Sequence, residues 1–123
     1  RAQLARVFAQ VWGKSLDGQL LLLDEPTSAL DLAHQQQVLS AIKQLARNGC
    51  AIILAIHDFN LASSVADRLM IIDHGRQVAL GTAREIMTAE LFETVFGAAV
   101  TLSNHPVTGD PIVLPVGFQS DNE

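Results

Sequence analysis

The chain has 123 residues, of which 49% are hydrophobic, so it can bury a core and is too apolar to be disordered. Its formal net charge of -5 at pH 7 leaves no basic surplus to neutralise phosphates, which argues against nucleic acid as a partner. The single cysteine excludes an internal disulfide, and no apolar run approaches the roughly 18 residues of a membrane-spanning helix.

The first segment of the chain, residues 1–12, has apolar residues at helical spacing and predicts a helix. No start methionine, N-cap residue or signal peptide precedes it, so we expect the chain to be part of a longer protein. A polar loop over residues 13–19 leads to an apolar run over residues 20–23. This run predicts a buried strand that ends at Asp24 and Glu25.

The next segments predict a helix and a second strand. Asp31 is placed to cap a helix from about residue 32 to residue 48, and Gly49 follows as its stop. Residues 51–56 then form a short apolar run rich in isoleucine, which is typical of a strand covered on both faces. This strand leads directly into His57.

A short helix and a hairpin are predicted to follow the second strand. Asp58 is placed to cap a helix that continues through residue 66. The sequences RLMIID and RQVAL then flank His74 and Gly75, a two-residue connection that suits a tight hairpin.

The last third of the chain begins with a helix signal. The sequence TARE, residues 82–85, is a capping box, and a further helix is predicted over about residues 89–96. Residues 98–123 contain three prolines and predict an irregular extended tail with room for one hairpin. We therefore divide the chain into residues 1–97 and a C-terminal tail, residues 98–123.

The order of these segments predicts an α/β fold. Strands that alternate with helices imply parallel strands joined by right-handed crossovers, and the hairpin adds an antiparallel edge. Ligands bind outside the carboxyl ends of parallel strands, where this sequence has Asp24 and Glu25 after one strand and His57 after another. We expect these side chains to share one site. Strands also end in such residues simply because the chain turns into solvent, and polarity alone leaves both interpretations open.

A longer pattern favours the functional interpretation. The sequence LLLLDEPTSALD (residues 20–31), followed by AIILAIHD (residues 51–58), resembles the nucleotide-binding domain of ABC-type ATPases. The first segment is similar to the Walker B motif and D-loop of that family, and the second to its switch-histidine segment. RAQLARVFAQ (residues 1–10) resembles the helix after the family's signature sequence. The resemblance implies that residues 1–97 are the C-terminal half of a P-loop NTPase domain.

The resemblance also assigns chemistry to three residues. Asp24 would hold Mg²⁺ through water, and Glu25 would act as the general base that polarises the attacking water. His57 would contact the γ-phosphate of ATP and so distinguish ATP from ADP. The phosphate-binding sequence G-x-x-x-x-G-K-[ST] does not occur in these 123 residues. We therefore expect the chain alone to bind ATP poorly and not to hydrolyse it.

The implied partners are those of a transport ATPase. Ser28, Ala29 and Asp31 would lie at the contact with a second copy of the subunit, which links the two ATP sites. HDFNLA (residues 57–62) and the tail NHPVTGDPIVLP (residues 104–115) resemble importer ATPases for iron chelates, haem and cobalamin, and the tail is most similar to haem importers. Such a subunit works peripherally at the cytoplasmic face of the inner (cell) membrane. It joins two transmembrane permease subunits, and a periplasmic or surface substrate-binding protein delivers the substrate.

Several alternatives stay open at this point. They are a siderophore or cobalamin importer ATPase, a soluble ABC-type ATPase of translation or DNA repair, a non-catalytic interaction domain, and an unrelated metallohydrolase. Haem as a cargo raises the hypothesis that His34, His74 and His105 bind it directly. Their positions at a helix start, in a hairpin turn and before a loop proline favour ordinary surface roles instead.

Overall fold

The computed structural model describes residues 18–116, so the predicted N-terminal helix and the last seven residues lie outside the described part of the chain. The chain divides into two compact units, Arg1–His57 and Asp58–Glu123.

Within its described residues, the first unit contains two parallel strands joined by one helix. Strand β1 (Leu20–Asp24) pairs in parallel with strand β2 (Ala51–Ala55), and helix α1 (Leu32–Arg47) connects them. Asp31 caps α1 by accepting a hydrogen bond from the backbone N–H of His34 at 2.9 Å. This strand–helix–strand order confirms the predicted parallel pair, and the helix ends one residue before its predicted end.

The parallel pair buries one of its two faces. Leu45 of α1 is only 1% exposed and packs with Leu21 and Cys50 in a small core. The opposite face has side chains that are 59–65% exposed, namely Leu20, Leu22 and Ile53. The prediction that the second strand is covered on both faces is wrong for the described residues. A single described helix packs on the pair, and alternate side chains of a strand lie on opposite faces.

The second unit contains three short helices and two antiparallel hairpins within its described residues. In chain order the elements are α2 (Phe59–Val65), β3 (Leu69–Asp73), β4 (Arg76–Gly81), α3 (Ala83–Ile86), α4 (Ala89–Phe96), β5 (Val100–Asn104) and β6 (Pro111–Pro115). Strand β3 pairs with β4, and β5 pairs with β6. The predicted antiparallel strands are present. In residues 18–116 they form sheets of their own, because each bonds to the strand next to it in sequence.

The helix caps of the second unit lie where the sequence predicts them. Asp58 caps α2, and Thr82 with Glu85 forms a complete capping box at α3. Gly97 ends α4 with a φ of 64°, a left-handed conformation that glycine adopts at little steric cost. No helix within residues 18–116 is long and apolar enough to cross a membrane.

The first hairpin is closed by its predicted two-residue turn. His74 and Gly75 have φ values of 50° and 77°, and two successive positive φ angles are the mark of a type I′ turn. This turn matches the right-handed twist of the flanking strands, which explains why a two-residue connection suffices here.

The tail is a regular hairpin that belongs to the core of the second unit. Val100, Leu102 and Val113 pack against a buried cluster of five residues, Leu69, Ile71, Ile86, Met87 and Phe92. The prediction of a hairpin in the tail is confirmed. Pro111 and Pro115 occupy the first and last positions of β6, so they remove no N–H group from its interior.

Candidate functional site

The polar residues after the two parallel strands lie at one edge of the sheet. Asp24, the last residue of β1, is in register with Ala55, the last residue of β2. The backbone N–H of Glu25 donates to the carbonyl oxygen of Ala55 at 2.8 Å, which continues the pairing beyond the strand. His57 follows Ala55 by two residues, so both sets of polar side chains leave the sheet at its carboxyl edge.

Glu25 and His57 contact each other through their side chains. The distance from Oε1 of Glu25 to Nε2 of His57 is 3.3 Å. The glutamate side chain is 30% exposed and the histidine side chain is 97% exposed. An exposed pair of this kind contributes little to stability. Chemically, it places a partly buried carboxylate beside an imidazole ring that can donate or accept a hydrogen bond.

The backbone at Glu25 adopts a conformation that is rare for residues other than glycine. Its φ is 49°, and Ala29, four residues later, has a φ of 66°. The turn between them is closed by two backbone hydrogen bonds of 3.2 Å, from Ser28 to Glu25 and from Leu30 to Thr27. A left-handed residue costs about 1–2 kcal/mol, and such strain is concentrated at functional sites. The strained turn therefore supports a functional role for the segment that follows β1.

The residues predicted to contact a second subunit lie along and just after this turn. Ser28, Ala29 and Asp31 are all exposed. The carboxylate of Asp31 binds the first turn of α1, where its Oδ1 accepts from both the backbone N–H and the imidazole Nδ1 of His34. Its side chain is still 67% exposed, so it can be reached by another protein chain.

The carboxylates at the end of β1 suit Mg²⁺ better than a metal held entirely by protein. Asp24 is exposed at the strand end, directly before Glu25. Within residues 18–116, no cluster of three or more His, Cys, Asp and Glu side chains could hold a metal ion. Mg²⁺ commonly takes one or two protein carboxylates and completes its shell with water and phosphate oxygens. This donor set fits that ion and does not support a metallohydrolase with three protein ligands in the described part of the chain.

The other three histidines form contacts with residues close to them in sequence. His34 bonds to Asp31, and Nδ1 of His74 lies 3.0 Å from Oδ2 of Asp73. Nδ1 of His105 accepts hydrogen bonds from the backbone N–H groups two and three residues later. These contacts are those of a helix start and of two turns, and they favour the structural roles predicted for all three histidines.

Two polar residues that sequence reasoning missed attach the last hairpin to α2. The side-chain amide of Asn60 donates to the carbonyl of Val113 at 3.0 Å and accepts from its N–H at 2.7 Å. The hydroxyl of Ser63, only 4% exposed, donates to the carbonyl of Pro111 at 2.8 Å. Their spacing of three residues places both on one face of the helix. This polar pair within an otherwise mainly apolar segment is the signal that could have revealed them.

No protein-family model matches the chain. The chain is 45% identical over 114 residues to a hemin import ATP-binding protein of Pseudomonas aeruginosa. This match covers 93% of the chain and 44% of the Pseudomonas protein. A protein of the same name from Gloeobacter violaceus is 42% identical over 121 residues, with 98% of this chain and 44% of that protein covered. The chain thus spans less than half the length of the curated relatives it matches.

Solved structures extend the comparison to the fold. A metal-chelate type ABC transporter in an inward-facing conformation matches 80% of this chain and 41% of its own, with a TM-score of 0.66 and 29% identity. A complex of an archaeal ribosome recycling factor with a ribosomal stalk protein matches with a TM-score of 0.57 and 28% identity. That match covers 81% of this chain and 20% of the other. Likeness in fold therefore reaches proteins of both transport and translation.

Proposed function

Because the chain has the sequence and the fold of part of an ABC-type ATPase, we propose that it belongs to the ATP-binding subunit of an importer for haem or a related iron chelate. The observation that carries the proposed activity is the 3.3 Å contact between Glu25 and His57 at the edge of the parallel pair. The names of the curated relatives, which are hemin import proteins, support haem as the cargo. A siderophore or cobalamin is the alternative cargo.

Glu25 is the proposed general base. Its side chain is 30% exposed, so part of the carboxylate is withdrawn from bulk water and can accept a proton from a water molecule directed at the γ-phosphate. His57 keeps its Nε2 within ion-pair distance of the carboxylate while most of its ring is in solvent. A protonated ring at this position can donate to a γ-phosphate oxygen as negative charge develops there, and can thereby distinguish ATP from ADP.

Asp24 is the proposed anchor for Mg²⁺, held through water. Its register with Ala55 keeps the carboxylate at the end of β1, next to the proposed base. When bound, the ion would neutralise charge on the β- and γ-phosphate oxygens of ATP. Asp24 itself would accept hydrogen bonds from the water molecules around the ion and so orient them.

Contacts outside the chain complete the proposed function. Ser28, Ala29 and Asp31 face a second copy of the subunit, and their exposure supports this assignment. Two transmembrane permease subunits and a periplasmic or surface substrate-binding protein would form the rest of the importer. The subunit would act peripherally at the cytoplasmic face of the inner membrane.

A soluble ABC-type ATPase of translation is the second candidate. The likeness to the structure that contains a ribosome recycling factor favours it. The formal net charge of -5 weighs against it, because the chain has no basic surplus for contact with RNA.

The experiment uses the intact protein that contains this chain, assembled with its permease subunits in proteoliposomes. The change Glu25→Gln removes the base and keeps the size of the side chain and an oxygen near His57. We expect ATP turnover to fall about 10²- to 10⁴-fold while ATP binding persists, since general base catalysis contributes a factor of that order. Haem uptake should be lost together with turnover.

Glu93→Gln is the matched control, because it removes the same charge from an exposed position on α4. It should change neither turnover nor uptake. Unchanged turnover in Glu25→Gln would refute the base assignment. Uptake of a ferric siderophore or cobalamin, but not of haem, would refute the cargo. ATP turnover without any dependence on permease subunits would favour the soluble alternative.

A further inference from the structure

The first turn of α1 contains a side-chain contact that the proposed mechanism does not use. His34 binds the carboxylate of Asp31 twice, and both bonds go to Oδ1. The backbone N–H of His34 donates at 2.9 Å, which is an ordinary N-cap bond. The imidazole Nδ1, 2.8 Å away, adds a second bond that capping does not require.

The chemistry of the two groups shows which atom carries the proton. An ionised carboxylate can only accept hydrogen bonds, so Nδ1 of His34 is the donor in this contact. A neutral ring donates from Nδ1 in one of its tautomers, and a protonated ring donates from both nitrogens. The bond to Asp31 can therefore persist whether the ring is neutral or charged.

The capping box at α3 shows what is distinctive about the contact at α1. At α3, the carboxylate of Glu85 accepts a hydrogen bond from the backbone N–H of the cap residue, Thr82. At α1, His34 is likewise three residues after the cap residue, but its imidazole bonds to the side chain of that residue, Asp31. The contact at α3 orders the backbone, whereas the contact at α1 orders a carboxylate.

We infer that His34 is a positioning residue, which holds the carboxylate of Asp31 in one rotamer for contact with a second copy of the subunit. The inference rests on the proposed function, which places Asp31 at that contact. Two donors on one oxygen restrict rotation of a side chain that is 67% exposed. A side chain that is already ordered loses less conformational freedom on binding, so association is favoured.

The test measures self-association of the intact protein with a non-hydrolysable ATP analogue and Mg²⁺, by sedimentation velocity. His34→Ala keeps the backbone cap bond and removes the imidazole bond. We expect it to weaken association about 3- to 10-fold, because binding must then immobilise the Asp31 side chain. His34→Asn, whose side-chain amide can replace Nδ1 as the donor, should restore most of the affinity. Gln36→Ala, at an exposed position of the same helix, should leave it unchanged.

A double-mutant cycle separates positioning from a general structural role. Asp31→Ser retains a residue suited to capping α1 and removes the carboxylate. In that background, His34→Ala should have no further effect on association. An equal loss in both backgrounds, or the absence of any loss in His34→Ala alone, would overturn the inference.

The remaining outcomes separate the inference from the proposal beneath it. If Asp31→Ser weakens association and His34→Ala does not, only the positioning role falls. If Asp31→Ser has no effect, the placement of Asp31 at the interface is overturned, and the inference falls with it. If the unsubstituted protein never associates with the analogue bound, the proposed function itself is overturned.

Discussion

Four helices within residues 18–116 have an N-cap residue whose side-chain oxygen accepts a hydrogen bond from a backbone N–H group of the first turn. These residues are Asp31, Asp58, Thr82 and Thr88. An N-cap bond joins residues no more than three positions apart, so it can be read from a few letters of sequence. Three of these four caps are predicted from sequence. At Asp31, the same few letters also serve the proposed contact with another subunit.

The capping box of α3 leads to a prediction about acid stability. The backbone N–H of Thr82 donates to the Glu85 carboxylate at 2.8 Å, and this bond, followed by the interaction with the Thr82 side chain, lowers the pKa of the carboxyl below its usual 4.5. A pKa that is lower in the folded state means that the bond stabilises the fold above pH 4.5. That contribution is lost as the pH falls through the lowered value.

We therefore expect the stability difference between the unsubstituted protein and Glu85→Gln to be constant near neutral pH and to shrink below about pH 4.5. Urea unfolding at a series of pH values measures this difference. Glu93→Gln, which removes a glutamate outside the capping box, is the control. The same pH dependence in both variants would contradict the role of the box.

At the scale of elements, side chains of α2 form hydrogen bonds with the backbone of the last hairpin and hold the two together. The amide of Asn60 presents Val113 with the donor and acceptor that a neighbouring strand would offer. The buried hydroxyl of Ser63 adds a bond to Pro111. Phe59 of α2 also packs with edge-to-face geometry on Phe92, at a centroid distance of 4.8 Å. The hydrogen bonds from Asn60 and Ser63 make the C-terminal hairpin an integral part of the second unit.

Asn60→Ala is the substitution that tests this attachment. It leaves both polar backbone groups of Val113 without their side-chain partner, which costs about 1–3 kcal/mol when such groups are shielded from water. We expect a loss of unfolding free energy in that range, together with faster hydrogen exchange at the Val113 amide. Ser64→Ala is the matched control, since its hydroxyl bonds within α2 to the carbonyl of Leu61. If exchange at Val113 were unchanged in Asn60→Ala, the attachment would not depend on this residue.

At the scale of the whole molecule, the 123 residues contain the proposed catalytic acids but no phosphate-binding sequence of the type G-x-x-x-x-G-K-[ST]. Its curated relatives are more than twice as long as the part that it matches. The fold class predicted from sequence is confirmed, because the chain matches ABC-type ATPases of known structure. The proposed activity, in contrast, needs backbone groups that a phosphate-binding loop would supply.

We accordingly expect the isolated 123-residue chain to show no Mg²⁺-dependent ATP turnover above background, even when circular dichroism shows helix and strand. Phosphate release measures turnover, with the intact protein as the positive control. Appreciable hydrolysis by the isolated chain that disappears in Glu25→Gln would contradict this expectation. It would mean that residues within the chain bind the phosphates unaided.

The sequence by itself determined the features that depend on near neighbours: the start of α1 after Asp31, the I′ turn at His74 and Gly75, and the capping box at Thr82. Their hydrogen bonds and backbone angles involve residues at most a few positions apart. The hydrophobic pattern and the motif around Asp24 and Glu25 also determined the fold class, because the order of helices and strands leaves few topologies.

Only the tertiary structure decided which faces of the strands are covered and which distant side chains meet. It alone shows that Leu22 is exposed and that Glu25 contacts His57 at 3.3 Å. It alone also shows the hydrogen bond from Asn60 to Val113, which are 53 positions apart in the sequence. An apolar run in the sequence does not show whether one face of the strand or both faces are buried. The identity of a polar residue does not show which distant residue it will contact. The contacts form because β1 and β2 end in register and because α2 packs on the core beside β6, and no local pattern contains that information.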